Sequence, residues 1–272
     1  MTMQRLLSRN KSFRLVQVTD THLYADTSHV LVGMNCEQGL TDVMQLIRSK
    51  ETVIAGVLLT GDASQDNSAT SYQRLHRTLA TLGARQYWIP GNHDELRAMQ
   101  KALSADNRCF EKSIRFGKWL VLMLASNVVG AVHGMLKKSE LEFLDEQLRT
   151  TDAEHVLVCL HHNPVPVKAA WLQQHALQNP EALFAVLDRY PAVRAVLFGH
   201  IHHELKHNRN GVMYYGSPST CIQFHPTNED FALDHRNPGY RWLELHADGT
   251  LTTGVNRVRN KRYSVDFSGI GY

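Results

Sequence analysis

The sequence lacks any apolar run of the roughly 18–20 residues that a bilayer span needs. Its opening stretch, MTMQRLLSRNKSF, has no apolar segment of the kind a secretory leader carries. These absences argue against a membrane-spanning or exported protein and point to the cytoplasm. The four cysteines, Cys36, Cys109, Cys159 and Cys221, stand far apart and form no CxxC pair, so four reduced thiols are expected. Charge of one sign is also missing. A net charge of +3 with no dense Lys/Arg tract gives little reason to expect a nucleic acid polymer or an anionic membrane as partner. The closest approach to a basic tract, NRVRNKR at 256–262, reads as a solvated tail. There is no internal repeat, low-complexity segment or evident linker, which leaves a single domain over residues 1–272.

What is present is an alternation. FRLVQVTD (13–20), VIAGVLLTGD (53–62), RQYWIPGN (85–92), WLVLMLAS (119–126), HVLVCLHHN (155–163) and VRAVLFGHIHHE (193–204) are apolar, β-branched runs that read as strands. Between them lie helical spacings. CEQGLTDVMQLIRSK (36–50) carries Leu40, Val43, Met44 and Ile47 on one face. The stretch 68–82 has Ser68 as cap, 138–151 has Ser139 and Glu142 spaced as a capping box, and 179–190 has Asn179 as cap with Pro180 at the first helical position. Asp248-Gly249 predicts a hairpin turn near the end. The fold class is therefore α/β, with a central sheet sandwich and a site built from strand-end loops.

The chain holds 16 histidines, and their placement matters more than their number. After the first strand comes Asp20-Thr21-His22, after the second Gly61-Asp62, and after the third Gly91-Asn92-His93-Asp94. Later strands deliver His161-His162-Asn163 and Gly199-His200-Ile201-His202. Any one of these alone reads as a turn or a helix cap. Five strand ends in a row that each deliver Asp, Asn or His do not. Two divalent ions about 3.5–4 Å apart need a bridging carboxylate, and together they activate a shared water and clamp a phosphate. Mixed imidazole and carboxylate donors suit iron, manganese, zinc or cobalt better than magnesium or calcium.

These five motifs, DTH, GD, GNHD, HH and GHIH, resemble those of the calcineurin-like metallophosphoesterases. The flanking stretches YADTSHVLVGMNCEQGL (24–40) and YYGSPSTCIQF (214–224) resemble the bacterial class III 3′,5′-cyclic AMP phosphodiesterases within that family. The resemblance implies a four-layer sandwich of two mixed β-sheets flanked by helices. It implies that Asp20, His22 and His202 hold one metal ion, that Asn92, His161 and His200 hold the other, and that Asp62 bridges them. The two ions per chain would be iron or manganese first, zinc or cobalt otherwise. His93 would be unligated and act as general acid, and His22, Asp62, Asn92, His93 and His202 would contact the substrate. The implied reaction is hydrolysis of 3′,5′-cyclic AMP to 5′-AMP by a metal-bridging hydroxide, with a small-molecule cyclic nucleotide as partner and a homodimer as the plausible assembly.

One position departs from the pattern. Where many relatives carry an Asp three residues after the bridging Asp, this chain has Gln65, followed by Asp66. Asp66 and Asp94 are the two candidates to orient His93. His162 and His203 are expected beside the ligands. His29, His76, His133, His155, His175, His207, His225, His235 and His246 are expected on the surface or in loops, with His133 in GAVHG placed to reach over the site. Two other readings compete. One keeps the metals but changes the substrate, to 2′,3′-cyclic nucleotides, nucleotide sugars or other phosphoesters. The other is a non-catalytic scaffold, a reading weakened by the presence of all seven ligand positions.

Overall fold

A computed structural model describes residues 12–271. Residues 1–11, on which the reading of the N-terminus as leaderless rests, lie outside the described residues. Among the described residues, eleven strands form two sheets. The first sheet contains β1 (Phe13–Val18), β2 (Gly56–Thr60), β3 (Gln86–Ile89), β10 (Gly239–Leu245) and β11 (Leu251–Arg257), in the order β11-β10-β1-β2-β3. The second contains β4 (Ser113–Phe116), β5 (Trp119–Met123), β6 (His155–Cys159), β7 (Val193–Phe198), β8 (Leu205–Arg209) and β9 (Val212–Gly216), in the order β4-β5-β6-β7-β9-β8. Both sheets are mixed. β1, β2 and β3 run parallel, as do β5, β6, β7 and β9, while β10, β11, β4 and β8 are antiparallel additions.

The period-2 geometry of a strand sorts its side chains between two cores. Leu15, Leu58, Val121, Met123, Leu157, Cys159, Ala195 and Leu197 face inward and fill the space between the sheets. Their neighbours Val16, Val18, Val57, Leu59, Leu120, Leu122, Val156, Val158, Val196 and Phe198 pack in the other core, with the helices. This is why the parallel strands read as continuous apolar runs: both faces are covered. The helices are α1 (Cys36–Lys50), α2 (Ala69–Ala80), α3 (Leu96–Ala102), α4 (Lys138–Thr150), α5 (Ala170–Gln173) and α6 (Pro180–Leu187). α1 is capped by Asn35 and packs on β10 and β11; α2 is capped by Ser68, whose hydroxyl accepts from the Ser71 N–H. Two mixed sheets flanked by helices match the expected sandwich. No helix among the described residues is long and apolar enough to cross a membrane.

A buried polar chain ties the sheets together at the end where the site lies. Gln17 in β1 donates to Thr60 Oγ1 (2.7 Å) and to the Phe198 carbonyl (3.2 Å) of the opposite sheet. Ser217 donates to Gln17 Oε1, and the buried Arg241 donates to Ser217 Oγ (2.9 Å) and the Gly216 carbonyl (2.8 Å). Every member is satisfied, so the network fixes how the two sheets meet without leaving a buried polar group unpaired.

Four expectations are corrected. Cys36, which opens α1, and Cys221 are joined as a disulfide across 185 residues of sequence, and only Cys109 and Cys159 are free thiols. The supposed capping box does not form. α4 begins at Lys138, so Ser139 is already inside the helix, and Glu142 turns outward toward Lys138 (3.5 Å). Asn179 does precede Pro180 at the helix start, but its side chain bonds both the N–H and the carbonyl of Leu136 instead of its own helix. The basic stretch 256–262 is no free tail. Arg257 ends β11 and donates to Gln223 Oε1 and the Asn237 carbonyl, and Lys261 pairs with Asp42.

Candidate metal centre

The C-terminal ends of β1, β2, β3, β6 and β7 open toward one place, and the backbone there is bent hard. Nine non-glycine residues have positive φ among the described residues, and five of them are predicted ligands: Asp20 (54°), His22 (46°), Asp62 (49°), His200 (67°) and His202 (47°). A non-glycine residue in this region costs of order 1–3 kcal/mol, which only a rigid surround sustains. The surround is visible. The loops after β1 and β2 are joined by Asp20 N–H to Gly61 carbonyl (3.0 Å), His22 N–H to Asp62 carbonyl (3.0 Å) and Leu23 N–H to Ala63 carbonyl (3.2 Å). Ser219 Oγ closes the other side by donating to the Asp20 carbonyl (2.6 Å). Close approach needs glycine at two points. A Cβ at Gly91 would stand 2.1 Å from Asp62 Oδ1, and one at Gly199 would stand 2.2 Å from Thr19 Oγ1.

All seven predicted ligand side chains converge. His202 Nε2 lies 3.3 Å from Asp20 Oδ1 and 3.2 Å from His22 Nε2. His161 Nε2 lies 3.3 Å from Asp62 Oδ2 and 3.1 Å from Asn92 Oδ1. Asp62 Oδ2 is also 3.8 Å from His22 Nε2, so one carboxylate faces both groups of imidazoles. Ligand atoms of Asp20, His22 and His202 fall within 4.8 Å of one another, as do those of Asp20, Asp62 and His161. The imidazoles are pre-aimed. Nδ1 of His22, His161 and His202 faces, respectively, Gln65 Oε1 (2.6 Å), the Thr60 carbonyl (2.7 Å) and the Ile222 carbonyl (2.9 Å). An oxygen acceptor holds the proton on Nδ1 and leaves the Nε2 lone pair for a cation.

The electrostatics have the same bias. Burial alone would raise both Asp carboxyls, but the facing histidines outweigh it: Asp20 is held below the ordinary range and Asp62 well below it. Burial likewise opposes charge on His161, yet Asp62 and Asp20 push it up to about 9. His22 is pushed down to about 3 by burial, and His200 is well below its ordinary value for the same reason. A water-excluded pocket that holds two carboxylates ionised calls for positive charge. His200 Nε2 is buried with no hydrogen-bond partner among the described residues, a vacancy that a cation would fill. The donor set therefore fits divalent metal.

His93 stands at the edge of the cluster. Its backbone N–H donates to Asp62 Oδ1 (2.9 Å), and its ring meets His22 edge-on at 5.0 Å. The two candidate carboxylates each gather donors from the loops. Asp94 accepts from the N–H groups of Ala63, Ser64 and Gly91 and from the Tyr72 hydroxyl. Asp66 accepts from Ala25 N–H, Ser68 N–H and Ser64 Oγ. Both carboxylates brace loops. The departure at Gln65 gains a role that the motif pattern did not show: it orients His22, and the place to look was the residue type itself.

The remaining histidines divide. His162 is buried beside the ligands, with Nδ1 at 2.8 Å from Ser126 Oγ and Nε2 at 3.0 Å from the Val132 carbonyl. His203 is buried as well. His155 is not a surface residue: it is buried at the start of β6. His175 lines the cavity that opens from the cluster, beside Asp62, Asn92, His93 and His200. Val132, next to His133, lines that cavity too.

The model of the calcineurin-like phosphoesterase family matches residues 13–204, which include every predicted ligand. The 3′,5′-cyclic adenosine monophosphate phosphodiesterase CpdA of Pseudomonas aeruginosa is 41% identical over 261 residues, 96% of each chain. The protein of that name from Escherichia coli K12 is 41% identical over 260 residues, 95% of this chain and 94% of the relative. Among solved structures, a dimetal phosphatase from Danio rerio aligns with a TM-score of 0.59 at 15% identity, covering 90% of this chain and 99% of that one. At that identity the structural likeness speaks to the fold alone.

Proposed function

This chain belongs to the calcineurin-like phosphoesterase family, and on that premise we propose that it is a dinuclear metal phosphodiesterase that hydrolyses 3′,5′-cyclic AMP to 5′-AMP. The observation that carries the reading is near-full-length similarity to relatives named for that reaction, at 41% identity. Supporting it is a cluster in which none of the seven ligand positions is substituted by an inert residue. In this reading Asp20, His22 and His202 would hold one ion and Asn92, His161 and His200 the other, with Asp62 placed to serve both. Iron or manganese suits that mixture of imidazole and carboxylate, with zinc or cobalt as substitutes. When bound, a divalent pair would supply Lewis-acid activation of water and of the phosphodiester.

The chain's own groups do the rest. His22, Asp62, Asn92, His93 and His202 form the floor against which the phosphodiester sits. Burial of the carboxylates excludes bulk water, so each fixed charge acts at low dielectric. His93 stands where its ring can protonate the O3′ alkoxide as the P–O3′ bond breaks, a general-acid role worth about 10²–10⁴-fold. Its backbone bond to Asp62 ties the proton donor to the carboxylate that would serve both ions. Both sheets deliver ligands, so the catalytic unit is the whole chain as one domain. The compartment that suits a nucleotide substrate of this kind is the cytoplasm, and the assembly proposed is a homodimer.

The test is steady-state hydrolysis of cyclic AMP with metal analysis of the same sample, and Asp62→Ala as control. A kcat/KM at or above about 10⁴ M⁻¹s⁻¹ that vanishes in the variant supports the reading. Turnover of a chromogenic diester without cyclic AMP hydrolysis refutes the substrate and spares the site.

A further inference from the structure

The cavity that opens from the ligand cluster has a volume of about 330 Å³, and away from the cluster its wall combines three aromatic rings, Trp171, Phe224 and Phe231, with the aliphatic Val132, Leu172 and Ile270. Trp171 on α5 meets Phe224 edge-on at 4.9 Å and Phe231 at 5.0 Å, and the two phenylalanines stand 5.8 Å apart. The wall is fixed to the cluster at a set distance: the Phe224 ring lies flat on the imidazole of His202, 3.9 Å away and 8° from parallel. Its two halves are stitched by backbone. Trp171 N–H donates to the Glu229 carbonyl (3.1 Å), and His225 N–H donates to the Ala232 carbonyl (2.8 Å) between the two phenylalanines. Outside the cluster, His175 and the indole N–H of Trp171 are the polar side-chain groups on the cavity wall among the described residues, and no Lys or Arg lines it.

We propose that this wall is the subsite for the heterocyclic base of the substrate, with Trp171 offering a stacking face and His175 hydrogen-bonding the edge of the base. The inference rests on the nucleotide phosphodiesterase reading and narrows it. The volume falls in the range of small-molecule pockets, about 300–1,000 Å³, and suits a mononucleotide. Every base has a π-face, so aromatic rings beside a phosphate site favour a nucleotide over a lipid headgroup or a phosphoprotein. The lack of a cation on the wall disfavours a second phosphate, and with it nucleotide sugars and dinucleotides. A neutral imidazole offers one donor and one acceptor. One of its nitrogens can therefore either accept from adenine's N6 amino group or donate to the adjacent ring nitrogen.

The experiment compares kcat/KM for cyclic AMP with that for the abasic ribose 3′,5′-cyclic phosphate, followed by phosphorus NMR, in wild type, Trp171→Ala, Trp171→Phe, Phe231→Leu and His175→Gln. Loss of one stacking face lowers the preference for cyclic AMP over the abasic substrate by roughly 5- to 150-fold in Trp171→Ala, through KM and not kcat, with Trp171→Phe restoring most of it. His175→Gln changes the ratio of cyclic AMP to cyclic GMP turnover, whereas a structural role for His175 moves both equally. Trp171→Phe and Phe231→Leu keep the test valid if Trp171→Ala folds poorly. An unchanged preference in all the folded variants overturns the subsite while leaving the phosphodiesterase reading intact. Wild-type turnover of the abasic compound without cyclic AMP hydrolysis overturns both.

Discussion

Replacing Gly91 by alanine adds one methyl group at the tightest point of the site, and the structure sets the consequence. The new Cβ would lie 2.1 Å from Asp62 Oδ1, 2.5 Å from Asp62 N and 2.7 Å from Asp62 Cγ. Ordinary contact begins near 3.4 Å, so the β2 and β3 loops must part by about 1 Å or more. Neither loop has slack. The Asp62 carboxylate receives the His93 N–H, and the Gly91 N–H is held by Asp94 Oδ2 (3.0 Å). The shift therefore moves Asp62 relative to Asn92 and His93, the groups whose spacing the reaction needs. A displacement of about 1 Å costs on the order of 10²-fold in rate, and overpacking of this kind costs about 1–3 kcal/mol in stability. In a chain of this size that is a fall in Tm of roughly 2–10 °C. The assay is metal content by mass spectrometry, kcat/KM for cyclic AMP and Tm by calorimetry. The control is Gly83→Asn, at a glycine with φ +69° and open space around it, where asparagine tolerates the backbone. Full metal occupancy in Gly91→Ala, with kcat/KM within about threefold of wild type, would refute the claim that glycine is required here for close approach.

Other perturbations follow from the same geometry. Gln65→Ala removes the acceptor that fixes the His22 ring, so metal affinity falls about 10–100-fold in a competition titration while Tm without added metal hardly moves; unchanged affinity would remove Gln65 from the site. Asp94→Ala leaves the backbone N–H groups of Ala63, Ser64 and Gly91 without their acceptor, at about 1–3 kcal/mol each, and unfolds at a lower temperature than Gly91→Ala. His93→Ala keeps its metals and loses about 10²–10⁴-fold in kcat on cyclic AMP, and much less on a diester with a good leaving group; equal losses on both count against the acid role. Asp42→Asn tests the attachment of the C-terminal segment. Burial opposes the Asp42 carboxylate, but bonds from Lys261, Tyr263 and Gln38 hold its pKa below the ordinary value. That stability is present above the unfolded pKa of about 3.9 and lost as pH falls through the folded one. The Tm gap between wild type and variant is therefore open at pH 7 and closes below about pH 4.

Much of this was readable in the sequence, for a reason that also explains what was not. Strand periodicity is local, and parallel strands covered on both faces announce themselves as apolar runs; β1, β2, β3, β5, β6 and β7 were placed to within a few residues at their starts. The edge strands β4 and β8 were missed because an edge carries polar, exposed residues, as in LKHNR, whose middle three side chains are exposed. The Cys36–Cys221 bond spans 185 residues, and no spacing rule reaches that far. The same limit hid His175, which a sequence shows only as one more loop histidine until α5 is folded against the cavity.

The ligands were legible because two demands select the same residue types. A dinuclear site asks for carboxylate and imidazole donors, and the turns that aim them ask for residues that tolerate positive φ. Asp and His meet both, being several-fold enriched among the non-glycine residues found there. Five ligands adopt that backbone here, each at the end of a strand that is buried on both faces. The strain of the site, on the order of 1–3 kcal/mol per residue, is thus carried by the most rigid part of the fold. It follows that replacing His22 or Asp62 by a β-branched residue costs more stability than replacing it by asparagine, although both lose the metal. Valine at either position meets the backbone penalty and the lost donor together, and a Tm no lower than that of the asparagine variant would show that the loops relax freely and the strain is not stored.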